Sequence, residues 1–432
     1  MRPATLSRAL TRAALTLALS ASAASAQLTA IRFGKLLDGN GRVVRDAVVV
    51  VDGDKIASVA SGGRAVPLGA VVIDLRRYVG IPGLIDVHTH MTYFWDGEAG
   101  TQPWTQQGRR RNAETVYLAQ ENARKTLESG VTTVRDLGAS EYGDIAMRDL
   151  IERGAMLGPR MFVAGYGLSR ARSAPTPGAP SPALRGRIAD TADIAIAIKA
   201  QVDAGADWIK LYGSTGSGAD VTGRQTFSLA EMRSVVEIAH RYGKRVAIHS
   251  YGPEGARDAV RAGAESVEHG TDLDDSTIVA MAVRGTYYVP TIDHNRYYSE
   301  NREQFAYTVE QAAALDAYRM RNIETARRAR RAGVRFAMGS DAVFTMFGQN
   351  TRELRWFVQI GMTPVQALAT ATTNAAALLG LERSLGAVAP GYFADLVAVE
   401  GDPESDIDAI VDGVRWVMKG GRVVVDRTGR RR

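Results

Sequence analysis

The chain has 432 residues, 45% of them hydrophobic, enough for one large domain or two of ordinary size with cores of their own. It contains no cysteine, which excludes disulfides, a lipoprotein cysteine and thiolate metal ligands. The formal charge of +6 falls to +3 once Arg2, Arg8 and Arg12 are set aside, since residues 1–26 hold no acid; the basic runs 109–111 and 327–331 read as solvated faces, so no nucleic-acid partner is expected.

The N-terminus carries the pattern of a secretory signal peptide: three arginines, an apolar run from Ala13 to Leu19, and Ala24-Ser25-Ala26, with cleavage expected after Ala26. The run falls far short of the ~20 residues of a membrane-spanning helix, so the mature protein is expected to be exported, periplasmic or secreted, with no membrane anchor. Arg430 to Arg432 at the other end are expected to fray.

From Leu28 to about Val79, short β-runs are broken by Asp38-Gly39-Asn40-Gly41 and Asp52-Gly53, which is antiparallel hairpin material. "ADLVAVEGDP" and "VRWVMKGGRVVVD", turning at Gly420-Gly421, repeat the style near the C-terminus. Neither set closes a core alone, so residues 27–80 and 385–432 are expected to meet in one small β-sandwich domain.

Between them, residues 81–384 alternate strand-like and helical patterns. The strand candidates in chain order are "GIPGLIDVH", "VTTVRDL", "RMFVAGY", "DWIKLY", "RVAIHS", "ESVEHG", "TYYVPTI" and "VRFAMGSD". Eight βα units without a Gly-rich phosphate loop after the first strand predict a (β/α)8 TIM barrel, an α/β fold, rather than an open doubly wound sheet. Two long loops, Met91 to about Asn112 and Ser169 to about Ala189, are expected to shape a pocket on the catalytic face.

Ionisable residues gather at the strand ends. His88 and His90 alternate onto the same side of the first strand, and two neutral imidazoles make half a metal site. His249 and His269 end the fifth and sixth strands one βα unit apart, which predicts equivalent places on adjacent strands, and Asp341 ends the eighth. Lys210 ends the fourth strand, where a barrel-facing ammonium is costly unless paired or modified. It reads either as a charge paired with a carboxylate such as Asp341, or as an amine carbamylated by carbon dioxide and able to bridge two metals. His240 falls in the helical pattern "EMRSVVEIAHRYG" and reads as a partly exposed helix residue, whereas His294 reads either as a substrate contact on the barrel rim or as a loop residue.

Taken together, "GLIDVHTH", "DWIKLYGS", "AIHSYG", "SVEHG" and "MGSDA" resemble the metal motifs of the amidohydrolase superfamily, in order. "ATTNAAALLGLERSLGAVAPGYFADLVAVEGDP" is similar to that family's return into its small sandwich, so the resemblance covers nearly all of the mature chain. Within the superfamily the pattern is most similar to the imidazolonepropionase-related group, which contains prolidase-like Xaa-Pro dipeptidases, metal-dependent carboxypeptidases and ochratoxin-hydrolysing amidases. The resemblance implies two divalent metal ions, zinc in the first place: His88, His90 and Asp341 on one, His249 and His269 on the other, and carbamylated Lys210 between them. It also implies that Asp341 carries a proton from the attacking water to the departing nitrogen.

Lys210 favours a binuclear hydrolase over the superfamily's deaminases and mononuclear members. A cyclic-amide hydrolase of the imidazolonepropionase or dihydroorotase kind shares enough of the ligand set to stand as an alternative, as does an exported metal- or solute-binding protein without turnover. Tyr251 and Arg296 are candidates for a substrate α-carboxylate, Tyr251 reading equally as a packing aromatic, and Tyr93-Phe94-Trp95 with Trp104 would suit an apolar or aromatic acyl group. The expectation is release of a C-terminal amino acid from a dipeptide or N-acyl amino acid, ochratoxin-like substrates included, by a homo-oligomeric enzyme.

Overall fold

The computed structural model describes residues 27–171 and 181–429. The expected signal peptide, the arginines at 430–432 and the middle of the Ser169 to Ala189 loop lie outside the described residues.

The β-runs of both chain ends hydrogen-bond into one mixed sheet of seven strands. Its order is Arg422–Asp426, Val414–Lys419, Leu396–Val399, Val71–Pro82, Thr29–Leu37, Val43–Asp52, Lys55–Ser61. Neighbours run antiparallel except Thr29–Leu37 and Val71–Pro82, which pair parallel where hairpins alone were expected. The sheet curls onto itself, Ile56 N bonding to Tyr392 O at 2.9 Å and Ala394 N to Asp54 O at 2.8 Å, around a core that includes Phe33, Val49, Leu75, Leu396 and Trp416. Alternation along each strand supplies that core from one face.

Val71–Pro82 leads straight into the barrel. Gly83, between that strand and Leu84–Thr89, donates to Asp395 O at 2.8 Å, and a Cβ there would fall 2.2 Å from Thr132 Oγ1. The barrel strands are parallel and buried on both faces, as the near-continuous apolar runs require. Leu84–Thr89, Val131–Asp136 and Arg160–Val163 form one arc; Trp208–Tyr212, Arg245–Ser250, Ser266–His269 and Tyr287–Val289 form the other. Bridges of Leu168 with Leu211, Tyr288 with Phe336 and Thr89 with Ala342 close the ring. The eighth segment is no regular strand: it forms isolated bridges at Phe336 and Ala342 with single bonds between them, such as Val87 N to Met338 O at 2.9 Å, and its backbone turns left-handed at Asp341 (φ 51°).

Helices cover the outside. Leu229–Arg241 buries Met232, Val235, Val236 and Ala239, the i, i+3, i+4, i+7 stripe of an amphipathic helix, and starts at a capping box in which Ser228 and Glu231 bond reciprocally. No described helix is long and apolar enough to cross a membrane.

Candidate metal centre

His88 and His90 leave Leu84–Thr89 on the same side, both nearly fully buried. Buried Asp86 anchors that strand to the eighth segment, accepting from Ser340 N at 2.9 Å, Ser340 Oγ at 2.5 Å and Asn350 Nδ2 at 3.0 Å. Gly339 allows the close approach, since a Cβ there would lie 2.7 Å from His88 Cβ. Asp341 N donates to His88 O at 2.7 Å, and one ligand atom each of His88, His90 and Asp341 falls within 4.8 Å of the others.

The second group comes from the opposite arc. Lys210 and Tyr212 are in register with Ala247 and His249, and His249 is in register with Glu268, not His269. The two histidines are thus not at equivalent places. His269 pairs with Ser250, a position that regular alternation turns away from the axis, and a left-handed φ of 71° swings its ring back, 4.4 Å from that of His249 and 5.2 Å from that of His88 between centroids. Thr291 (φ 49°), just past the strand Tyr287–Val289, is in the same strained region; its hydroxyl donates to Pro290 O at 2.8 Å and so accepts from His269 Nδ1 at 2.6 Å. Strain at His269, Thr291 and Asp341 is concentrated where the ionisable groups converge, the usual mark of a site whose geometry is bought at some cost to the backbone.

The electrostatics suit cations. Burial pushes the His88 imidazolium down to about 4, with Lys210 adding to the shift, and burial likewise holds His249 and His269 well below their ordinary range, so all three are neutral imidazoles at pH 7. Burial opposes the ionisation of Asp341, but His294, His88 and His90 outweigh it and hold the carboxyl well below its ordinary value. His90 Nδ1 donates to Gly138 O at 3.0 Å and Nε2 faces Asp341 Oδ1 at 3.3 Å; burial disfavours the His90 imidazolium, but Asp341 outweighs it and raises it above its ordinary value. Lys210 Nζ and His249 Nε2 are buried without a hydrogen-bond partner, and burial lowers the Lys210 ammonium to about 8. Orphaned buried donors are rare, and a ring of imidazoles around an amine and a carboxylate fits divalent cations, so the residues present suit a metal centre.

His88, His90, Lys210, His249, His269 and Asp341 line one cavity of about 90 Å³ together with Tyr251 and His294. His294 sits in the helix Ile292–Glu300, and its ring faces Asp341. Tyr93 and Trp104 also line the cavity, whereas Trp95 turns into the core against Phe305 and Phe94 lies under Arg110. Arg296 does not join them: its guanidinium is held by Asp293 at 2.7 and 2.9 Å, by Glu300 and by Gln349 at 3.2 Å, a network internal to its own helix and the segment behind it. His240 lies on the outer face, Nε2 3.0 Å from Glu265. Sequence reasoning missed Tyr212 and Tyr298 in the cavity wall and the buried pair Arg135 and Glu268 beneath it, although a charged residue inside an apolar barrel strand is itself a signal.

The sequence pattern of the amidohydrolase family matches residues 79–424. The chain belongs to the amidohydrolase family. An ochratoxinase of Aspergillus niger is 29% identical to this amidohydrolase over 455 residues, spanning 98% of this chain and 91% of the relative. A crystal structure of a Xaa-Pro dipeptidase with bound methionine in the active site superposes with a TM-score of 0.83 at 32% identity, covering 92% of this chain and 99% of that one. A prolidase complexed with N-methylphosphonate-L-proline gives 0.82 at 26% identity, over 93% and 100%. These relatives are of the group to which the motifs pointed, and the amidohydrolase is a hydrolase acting on carbon–nitrogen bonds.

Proposed function

We propose that this amidohydrolase is a binuclear zinc enzyme that cleaves the amide bond to a C-terminal amino acid in dipeptides or N-acyl amino acids. The observation that carries the reading is Lys210: an amine buried without a partner among neutral imidazoles, facing the Asp341 carboxylate. With its ammonium lowered to about 8, Lys210 offers a fraction of free amine near neutral pH. The amine nitrogen adds to carbon dioxide, loses a proton to solvent and becomes a carbamate, an anion with two oxygens for two cations. His88, His90 and Asp341 would hold one cation, His249 and His269 the other. When bound, such cations polarise a scissile carbonyl and acidify water at neutral pH.

The chain's own residues supply the rest. Asp341 accepts the proton of the attacking water and returns it to the departing nitrogen, the step that makes an amine a tolerable leaving group. His294 Nε2 lies 3.3 Å from Asp341 Oδ2, within reach to share that proton. Tyr251, 2% exposed and stacked on His249, keeps its phenol neutral through burial and offers a donor for the carboxylate of the released residue. Tyr93 and Trp104 give the acyl group an aromatic wall, which suits an ochratoxin-like substrate.

The relatives support the substrate class: one is an ochratoxinase, another a Xaa-Pro dipeptidase, another a prolidase bound to a phosphonate of proline. The test is a screen of the zinc-loaded protein against dipeptides and N-acyl amino acids, with proline and phenylalanine series and ochratoxin A. Turnover of at least one series with release of the C-terminal residue is expected; turnover of cyclic amides alone would overturn the proposal.

A further inference from the structure

Glu268 and Arg135 lie beneath the metal centre, and nothing in the proposed chemistry uses them. Both are fully buried. Arg135 donates from Nη2 to Glu268 Oε1 at 2.9 Å, from Nη1 to Ser266 Oγ at 3.0 Å and from Nε to Val87 O at 2.5 Å, while its guanidinium lies 4.5 Å from the centre of the Trp208 ring. Ser266 Oγ donates to the same Glu268 oxygen at 2.5 Å. One carboxylate oxygen is thereby saturated, and the other, Oε2, lies 2.8 Å from His88 Nδ1.

We infer that Glu268 is a positioning residue: clamped by Arg135, it holds the His88 proton on Nδ1 and aims Nε2 at the metal centre. A carboxylate accepts and does not donate, so the contact assigns the tautomer, and Nε2 is left bare 3.5 Å from Asp341 Oδ1. The partner is also unlike those of the neighbouring ligands. His90 gives its Nδ1 proton to a neutral carbonyl and His269 to a hydroxyl. His88 alone of these three has an anionic partner at Nδ1, the kind that fixes ring orientation and strengthens the imidazole as a ligand. Arg135 offsets the cost of a carboxylate in this interior and leaves Glu268 one free direction, toward His88.

The inference rests on the metal-hydrolase reading for its purpose, and the experiment separates the two. In the zinc-loaded full chain, labelled with nitrogen-15 at its six histidines, His88 should show a slowly exchanging, downfield Nδ1 proton and metal coordination through Nε2. Coordination through Nδ1, or a freely exchanging proton there, overturns the inference whatever any variant does. In Glu268→Gln, and in the double variant with Arg135→Met that removes both buried charges together, competition with a chelator should show one of the two metals bound about 10- to 100-fold more weakly and the other little changed. A role in packing alone would lower thermal stability without favouring one metal, and affinity kept within about threefold in either folded variant overturns the inference. Protein that binds metal with the expected His88 proton but cleaves no amide would sink the proposed function and leave the positioning role intact.

Discussion

His294 and Asp341 hold each other twice: the Nδ1 proton of His294 goes to the main-chain oxygen of Asp341 at 2.8 Å, and Nε2 faces the carboxylate of the same residue at 3.3 Å. The first contact fixes the ring so that the second is available for proton exchange. Asp341→Asn keeps the size and one oxygen but removes the base, so kcat on amides should fall by about 10² to 10⁴. Esters with good leaving groups need less protonation and should lose less. Equal losses on both substrates at full metal occupancy, measured side by side, would mean that Asp341 orients water or metal and another group moves the proton.

Lys210 should be carbamylated in the active enzyme. Loading with carbon-13 bicarbonate is expected to give a carbamate resonance that Lys210→Ala lacks, and the variant should bind less than its full metal complement and lose activity. A short carboxylate added at high concentration should restore part of both. An active protein with one metal and an unmodified amine would rule the bridge out.

Arg296 is placed to stabilise, and its loss should be read in unfolding experiments. Asp293, 1% exposed, takes two hydrogen bonds from Arg296 and one from Trp356 Nε1 at 2.9 Å. Arg296→Leu leaves the buried Asp293 carboxylate with Arg352 Nε, 3.7 Å away, as its remaining cation, and breaking a buried pair costs about 3 kcal/mol. Urea titration should show that loss, with KM unchanged in whatever variant protein remains folded. A large rise in KM at unchanged stability would return Arg296 to the substrate site.

Lys419 predicts a pH dependence. Burial pulls its ammonium from 10.5 down to about 8, against a hydrogen bond to Gly158 O at 2.7 Å. Below pH 8 the charge is present in folded and unfolded chains alike and its burial cost is borne in full. Between about 8 and 10.5 the unfolded chain binds the proton and the folded one does not, so stability contributed by this site rises with pH across that window. The difference in unfolding free energy between the native protein and Lys419→Met should therefore shift in favour of the native protein from pH 7.5 to 10. A flat difference would mean that the ammonium is solvated in the folded state.

Export is proposed on the N-terminal pattern alone. Protein recovered from outside the cytoplasm should begin at or near Gln27. An intact Met1 on such protein would contradict cleavage.

His88, His90, Lys210, His249 and Asp341 could be read from the sequence because each is a chemically expensive residue closing an apolar run, and parallel strands bring all such ends to one rim. Glu268 was hidden by its neighbour. Alternation assigns one of Glu268 and His269 to the axis, the histidine was the natural choice, and the φ of 71° that lets both point inward has no signature in residue type. Arg296 misled for a related reason: its partners Asp293 and Glu300 stand three and four residues away on one helix, a pairing that becomes visible once the segment after the seventh strand is seen to be helical. The hairpins of the small sheet announced themselves through turn residues, whereas the parallel pairing of Thr29–Leu37 with Val71–Pro82 depends on contacts that no local signal reports.

The pairing of Leu396–Val399 with Val71–Pro82 has a consequence for biogenesis. The strand that delivers His88 and His90 is continuous with one whose neighbour is synthesised only after the whole barrel, and the barrel itself closes between Thr89 and Ala342. A nascent chain therefore carries an unpaired strand edge leading to His88 and His90 until Leu396–Val399 has emerged, a long-range pairing of the kind that slows folding and leaves an edge open to other chains. Loss of Leu396–Val399 would spare every residue of the candidate centre and still strip a neighbour from the strand that leads to it.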